Sequence, residues 1–103
     1  MGILNMLFGG GKRSARIKEL ATSGAMIVDV RTPAEFKGGH AKGAVNIPVQ
    51  RINSELAKLK KQEQPIILCC RSGARAAGVQ AQLQKEGISC IKAGPWQKVS
   101  QVQ

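Results

Sequence analysis

Three short apolar runs divide the sequence, at residues 25–30, 65–70 and 88–91. A continuous apolar run of this length, bounded by turn residues, is typical of a strand that is buried on both faces. The segments between the runs have helical patterning, and strands that alternate with helices pair in parallel. The sequence therefore predicts an α/β fold, with a largely parallel sheet and helices on both of its faces.

The helices are predicted from apolar spacing, capping residues and glycine stops, at residues 14–23, 32–36, 52–59 and 74–85. In the second of these, Thr32 is the N-cap, a proline follows it, and Glu35 completes a capping box. Residues 45–48 are predicted to be a brief extended segment that ends at a proline. The side chains of the fourth helix that are expected to face the sheet are Ala77, Ala81 and Leu83.

The chain has 103 residues, the length of one compact domain, which we place at residues 12–103. Residues 1–11 are predicted to be a separate segment, apolar at first and then made of three consecutive glycines. Two uses of this segment stay open: it docks against an exposed groove of the domain, or it binds a membrane surface or a partner. The longest apolar run, residues 65–70, is far shorter than the about 20 residues of a transmembrane helix, so no membrane span is expected.

The charge balance favours anionic partners. Sixteen lysines and arginines against six aspartates and glutamates give a formal net charge of +10, which attracts small oxyanions, acidic proteins or nucleic acid. Nucleic acid is not expected as a partner, because two phenylalanines, one tryptophan and no tyrosine leave few side chains to stack on bases. The densest group of lysines, within residues 58–61, is predicted to be the solvated end of a helix.

The three cysteines, Cys69, Cys70 and Cys90, form neither a disulfide framework nor a zinc-binding pattern. Their number is odd, no C-x-x-C pair occurs, and the chain has one histidine. Free thiols are typical of a reducing compartment, so we expect a cytoplasmic protein without a bound metal. Cys69 and Cys90 lie within apolar runs and are predicted to be buried hydrophobic residues.

Cys70 ends the second apolar run, and the next residues, Arg71-Ser72-Gly73-Ala74-Arg75, lead directly into a predicted helix. Sites in open α/β sheets form at the carboxyl ends of the strands. A helix N-terminus offers backbone N–H groups and a partial positive charge, which stabilise a thiolate. Because Gly73 lets the backbone curl, successive N–H groups can face one centre and hold an anion. The sequence thus predicts a nucleophilic thiol, Cys70, within an anion-binding loop.

The loop Cys70-Arg71-Ser72-Gly73-Ala74-Arg75 resembles the active-site loop of the rhodanese family. The segments Val28-Asp29-Val30-Arg31-Thr32-Pro33-Ala34-Glu35-Phe36, Gly39-His40 and Gly43-Ala44-Val45-Asn46-Ile47-Pro48 are similar to that family's upstream signature, and they stand in the family's order. The resemblance covers residues 17–96. It implies a single rhodanese domain with a five-stranded, largely parallel sheet and helices on both sides.

The resemblance further implies a sulfurtransferase in which Cys70 is the catalytic nucleophile. Its thiolate would take the outer sulfur of a donor such as thiosulfate as a persulfide, which a thiol or cyanide then removes. No metal or organic cofactor is needed, and a monomer that acts on small molecules is expected. The alternative is a sulfur-relay module that passes sulfur on with a protein partner, for which an acidic protein would suit the charge. The donor and the persulfide would be bound by the rest of the loop: Arg71, Ser72, Gly73, Ala74 and Arg75.

Loop length separates this chain from related phosphatases, in which the loop arginine stands one position further from the nucleophilic cysteine. Here Arg75 is the fifth residue after Cys70, so the smaller ring is expected to suit one sulfur atom and not a phosphate group. Within the loop, Arg71 is expected to recruit the anionic donor and Arg75 to brace the backbone.

Other residues of the motifs are expected to have structural roles. Asp29, Arg31 and Glu35 are predicted to form ion pairs that tie adjacent loops together. His40 is not expected to act as a base, because a thiolate that its loop already stabilises does not require one. Trp96 is predicted to be a packing lid over the site and not a substrate contact.

Overall fold

The computed structural model describes residues 11–103, in which a sheet lies between two layers of helices. The helices are α1 (Gly11–Thr22), α2 (Pro33–Lys37), α3 (Leu56–Lys60), α4 (Ala74–Lys85) and α5 (Trp96–Val102). The strands are β1 (Ile27–Asp29), β2 (Val45–Asn46), β3 (Ile66–Cys70) and β4 (Cys90–Pro95), and two short 3-10 helices, Val49–Arg51 and Asn53–Glu55, precede α3. The segment predicted at residues 1–11 lies outside the described residues, except for Gly11. No helix within residues 11–103 is long and apolar enough to cross a bilayer.

All neighbouring strands pair in parallel, in the order β2-β1-β3-β4. This order confirms the predicted parallel α/β architecture and brings the carboxyl ends of the strands to one edge of the sheet. Strand β3 is an interior strand, and all five of its residues are buried. Its pairing with β4 shifts register between Leu68 and Cys69, so that Cys70 lies opposite Pro95.

The sheet separates two hydrophobic cores, because successive side chains of a strand point to opposite faces. Cys70 belongs to the core covered by α3 and α4, and Cys69 belongs to the core covered by α1 and α5. The first core includes Val28, Leu59, Leu68, Val79 and Leu83, and the second includes Ile17, Leu20, Ile27, Ile67 and Val99. Two neighbouring cysteines of one strand therefore lie on opposite faces of the sheet.

The sheet has four strands within residues 11–103, where the resemblance implied five. The described residues before β1 carry Ile17 and Leu20 at helical spacing, and both side chains are buried as part of α1. The residues after β4 continue directly into α5. Both flanks of the described chain thus pack on the sheet as helices and supply no further strand.

The helix predicted over residues 52–59 is shorter than expected, since only Leu56–Lys60 is α-helical and two 3-10 helices precede it. Ser54 Oγ donates to the carbonyl oxygen of Arg51, at 2.7 Å. Side-chain bonds of this kind compete with the helical backbone pattern. At residues 52–55, local hydrogen bonding therefore outweighs the tendency of these residues to form an α-helix.

The strand predicted at residues 88–91 begins later, at Cys90. Gly87 has a φ of 74°, and the Ile88 N–H donates to the carbonyl of Leu83 at 2.9 Å. These are the features of a Schellman motif, so Ile88 belongs to the C-terminal cap of helix α4 instead of starting a strand.

The prediction for the buried face of α4 was partly wrong. The residues of α4 that are buried are Ala76, Val79 and Leu83, whereas Ala77 is half-buried and Ala81 is exposed.

Candidate active site

A tight loop joins the end of β3, at Cys70, to the start of α4, at Ala74. Gly73 is the N-cap of α4 and has a φ of 103°, a left-handed conformation that residues with a side chain rarely adopt. Its N–H donates to the Cys70 sulfur, with an N–Sγ distance of 2.8 Å. The N–H groups in the first turn of a helix have no carbonyl partner within that helix. The thiol therefore accepts from one backbone N–H at the N-terminal end of α4, a position that suits a negatively charged sulfur.

Of the predicted site residues, Gly73 contacts the Cys70 sulfur, Arg75 pairs with Glu35, and Arg71 lines a neighbouring pocket. Cys70 has no exposed surface. Within residues 11–103, no group of three histidine, cysteine, aspartate or glutamate side chains is placed to hold a metal ion. The remaining loop residues have a range of exposures: Arg71, Ser72 and Ala74 are exposed, Arg75 is half-buried and Gly73 is buried.

Cys69 is as deeply buried as Cys70 but lies on the other face of the sheet. Burial first, and then the negative charge of Asp29, raises the pKa of Cys69 to about 12. Its thiol is consequently protonated at neutral pH, and a protonated thiol is a poor nucleophile. Burial also raises the pKa of Cys90, which is half-buried in β4. The prediction of a buried hydrophobic residue is confirmed for Cys69, whereas Cys90 is only partly buried and packs against the edge of the core that contains Cys70.

A buried ion pair between Asp29 and Arg31 supports the edge of the sheet where the loop lies. Arg31 donates from Nη2 to Asp29 Oδ2 at 2.7 Å, and from Nε to both carboxylate oxygens at 2.9 and 3.1 Å. The same guanidinium donates to the carbonyl oxygens of Gly39, at 2.7 Å, and Glu35, at 3.3 Å. Its Cζ lies 5.3 Å from the centroid of the Trp96 ring. Arg31 thus joins the end of β1, the end of α2 and the start of α5.

A second ion pair ties the loop to helix α2. Arg75 Nη1 and Nη2 donate to the two carboxylate oxygens of Glu35, at 2.7 and 3.0 Å. Glu35 also accepts the Thr32 N–H at 3.0 Å as part of the capping box of α2. The hydrogen bonds from Arg75, and then from the Thr32 N–H, lower the pKa of Glu35 to about 2. Sequence reasoning expected Glu35 to form an ion pair but did not identify Arg75 as its partner.

A pocket of about 270 Å³ opens beside the loop. Because Glu35 holds the guanidinium of Arg75, Arg71 is the loop arginine whose side chain lines this pocket. The indole of Trp96 forms part of the wall, close to the backbone of Gly39. Two arginines, Arg31 and Arg71, and the carboxylate of Glu35 also line the pocket. Arg31 pairs with Asp29 and Glu35 with Arg75, so within residues 11–103 Arg71 is the charged side chain of the pocket that forms no ion pair.

Two residues of the sequence motifs support the backbone and do not line the pocket. His40 Nδ1 lies 2.7 Å from the carbonyl oxygen of Phe36, and the two rings stack with their centroids 3.7 Å apart. Asn46, to which sequence reasoning gave no role, donates from Nδ2 to the carbonyls of Asp29 and Arg31, at 3.0 and 2.8 Å. The available signal was its position, as a polar residue between two apolar ones in a short extended segment.

Known proteins resemble this chain in sequence and in fold. A family model described as Rhodanese-like domain matches residues 14–99. A sulfurtransferase of Allochromatium vinosum is 33% identical over 70 residues. The matched region is 68% of this chain and 64% of that protein, so this chain spans slightly less than two thirds of that relative. Thiosulfate sulfurtransferase 16, chloroplastic, of Arabidopsis thaliana is 35% identical over 85 residues, with 72% of this chain and 71% of that protein covered. The crystal structure of a rhodanese-like domain protein from Staphylococcus aureus matches with a TM-score of 0.71 and 26% identity, over 84% of this chain and 86% of that one.

Proposed function

The chain belongs to the rhodanese-like domain family, and on that basis we propose that it moves sulfane sulfur from thiosulfate, or another persulfide donor, to a thiophilic acceptor through a persulfide on Cys70. The observation that carries the proposal is the 2.8 Å contact between the Gly73 N–H and Cys70 Sγ. It gives the sulfur one backbone donor at the N-terminus of α4, a position that would stabilise negative charge on sulfur. The relatives named as sulfurtransferases support sulfur transfer in general, and thiosulfate as the donor is part of the proposal.

In the first half-reaction the Cys70 thiolate attacks the outer sulfur of thiosulfate. The S–S bond of thiosulfate breaks, its electron pair leaves with sulfite, and the transferred sulfur remains on Cys70 as a persulfide. Arg71 is exposed at the pocket and would attract the anionic donor. The N–H groups of Gly73 and of the first turn of α4 would hold the terminal sulfur of the persulfide.

In the second half-reaction a nucleophilic acceptor, cyanide or a thiolate, attacks that terminal sulfur. The persulfide S–S bond breaks and its electron pair returns to Cys70, which regenerates the thiolate. Sulfite leaves before the acceptor reacts, so ping-pong kinetics are expected. The cysteines among residues 11–103 are all free thiols, which supports a reducing compartment such as the cytoplasm as the place of this reaction.

A sulfur relay between proteins is the second candidate function. The exposed Arg71 beside the pocket and the net charge of +10 support it, because both would attract an acidic partner. Kinetics distinguish the two functions. A millimolar or weaker affinity for thiosulfate, together with rapid transfer from a protein persulfide, would favour the relay.

The test is the intact mass of the protein before and after incubation with thiosulfate. We expect the wild-type chain to gain the mass of one sulfur atom and to lose it on addition of cyanide. Cys69→Ser and Cys90→Ser are matched controls that should also gain one sulfur, whereas Cys70→Ser should gain none. A Cys70→Ser variant that carries the sulfur on Cys69 and turns over fully would overturn the assignment.

A further inference from the structure

The indole of Trp96 is held by three sets of contacts. The guanidinium carbon of Arg31 lies 5.3 Å from the centroid of the ring, within the range of a cation–π contact. The ring also lies so close to the backbone of Gly39 that a Cβ atom on that glycine would be 3.3 Å from Cη2 and Cζ2 of the indole. In addition, Trp96 packs against the core covered by α1 and α5. The indole therefore has little freedom to move toward Arg31, Gly39 or the core.

Arg31, which supports the indole, is itself held in place. Only 5% of its surface is exposed. Its guanidinium donates to the carboxylate of Asp29 and to the carbonyl oxygens of Glu35 and Gly39, so each of its three nitrogens is engaged. Gly39 thus contacts the ring and also accepts a hydrogen bond from the group that supports the ring. Because a shift of the indole would disturb these hydrogen bonds, the part of the pocket wall that Trp96 forms is rigid.

This wall borders a small pocket. Trp96 and Gly39 line the pocket of about 270 Å³ beside the Cys70 loop, together with the exposed Arg71. Ligand pockets of proteins typically enclose about 300–1,000 Å³, so this one lies at the small end of the range. Arg71 directly follows Cys70 in the chain, so a molecule that its guanidinium binds is held by the neighbour of the thiol. A rigid wall beside this cation would limit the size of the molecules that bind there.

We propose that Trp96 is a specificity-determining residue that limits the sulfur acceptors of Cys70 to small thiols. The proposal rests on the proposed sulfur transfer and names the class of acceptor for it. In the step concerned, the acceptor thiolate attacks the terminal sulfur of the Cys70 persulfide, the persulfide S–S bond breaks, and its electron pair returns to Cys70. An acceptor that Arg71 binds in the pocket must fit beside the indole, and a ring that is held in place does not yield to a larger molecule. Limiting the acceptors to small thiols favours the first candidate function over transfer to a protein thiol.

The test measures how fast two thiols of different size, mercaptoacetate and glutathione, discharge the Cys70 persulfide. The two thiols carry the same net charge at neutral pH. The full chain is loaded with thiosulfate and freed of excess donor, and the loss of sulfur is followed by intact mass. In Trp96→Ala the rate constant for glutathione should rise by about tenfold, whereas that for mercaptoacetate should change by less than about threefold. Because each thiol is compared with itself across variants, differences in intrinsic reactivity cancel.

Val102→Ala is the matched control, because Val102 packs against the same core from α5 but does not line the pocket. It should leave the ratio of the two rate constants as in wild type. Trp96→Leu keeps an apolar side chain against that core and should also raise the rate constant for glutathione. It takes the place of Trp96→Ala if circular dichroism shows that the alanine variant does not fold.

The outcomes separate this proposal from the proposed function. A wild-type chain that takes up no sulfur, either from thiosulfate or from an organic persulfide, would overturn the proposed function and this proposal with it. If wild type is loaded and discharged but Trp96→Ala and Trp96→Leu keep the wild-type ratio, sulfur transfer stands and the role of Trp96 is refuted. An equal change of the ratio in Val102→Ala would also refute that role, because a general loosening of α5 would then be responsible.

Discussion

Arg75 donates to both carboxylate oxygens of Glu35, at 2.7 and 3.0 Å, across 40 positions of sequence. The pair joins the first turn of α4 to the first turn of α2, so the loop around Cys70 is held from outside as well as by its own backbone. In the proposed reaction, a sulfur donor would then meet a loop whose backbone is already ordered. Such positioning contributes to rate because it removes the need to order the site at each turnover.

Glu35→Gln should lower kcat for sulfur transfer by about tenfold, with a smaller change in the KM for thiosulfate. The amide keeps the size of the side chain but loses the charge that holds Arg75 in place. Steady-state kinetics with thiosulfate and cyanide measure this, with Glu55→Gln as a control. Glu55 pairs with Arg51 at 3.7 Å, away from the pocket, so its removal should leave both constants unchanged. An unchanged kcat in Glu35→Gln would show that the pair does not position the loop.

The same pair should make stability depend on pH in a defined window. Glu35 has a pKa of about 2 in the folded chain, against an ordinary value of 4.5. Because the folded pKa is lowered, the stabilisation is fully present above about pH 4.5 and is lost as the pH falls toward 2. The difference in free energy of unfolding between wild type and Glu35→Gln should be constant from pH 7 to 5 and shrink below it. A difference that is lost on raising the pH would contradict the assignment.

Arg71→Ala should raise the KM for thiosulfate with little change in kcat, because Arg71 lines the pocket but is not held by Glu35. Arg75→Ala should mainly lower kcat, because it removes the ion pair with Glu35 that holds the start of α4 against α2. An exposed charge is screened by salt, so the effect of Arg71→Ala should shrink at high ionic strength. Kinetics at low and high salt test this division, and equal, salt-independent losses in the two variants would refute it.

Asp29→Asn should destabilise the fold by about 3 kcal/mol, because the buried Arg31 guanidinium then lacks a counter-charge. Chemical denaturation measures the change in free energy of unfolding. The surface pair of the exposed Arg51 and the half-buried Glu55 is the comparison, where Glu55→Gln should cost less than about 0.5 kcal/mol. If the two substitutions cost the same, the buried pair would not be the support that its geometry indicates.

Insertion of one glycine after Gly73 tests whether ring size selects the substrate. The backbone donors then stand further from the Cys70 sulfur, so sulfur transfer should fall, and weak binding of phosphate or arsenate is expected. The native chain should show no turnover of an aryl phosphate. Both activities are measured on the two proteins side by side. Sulfur transfer that survives the insertion unchanged, or aryl phosphate hydrolysis through Cys70 in the native chain, would contradict this account.

Local signals predicted much of the fold. The capping box at Thr32 and Glu35 forms as its spacing indicated, and helix α4 covers the predicted residues. The partner of Glu35 could not be predicted in the same way, because the contact with Arg75 depends on how β1 and β3 pair. The start of β4 was predicted two residues too early, because Ile88 takes part in the Schellman motif at the end of α4. The position of Cys70 at the end of a strand could be predicted from the sequence. The role of Asn46 could not, because it depends on backbone carbonyls that only the folded turn brings together.

The separation of Cys69 and Cys70 by the plane of the sheet has a consequence for the lifetime of a reaction intermediate. In many thiol enzymes a second cysteine resolves the first by attacking it and closing a disulfide. Here Cys69 faces the opposite core and is protonated at neutral pH, and Cys90 lies opposite Ile66, at the other end of β3 from Cys70, so neither cysteine is placed to resolve Cys70. A persulfide on Cys70 would therefore persist until an external acceptor arrives, and the acceptor, not the protein, would set when the sulfur leaves.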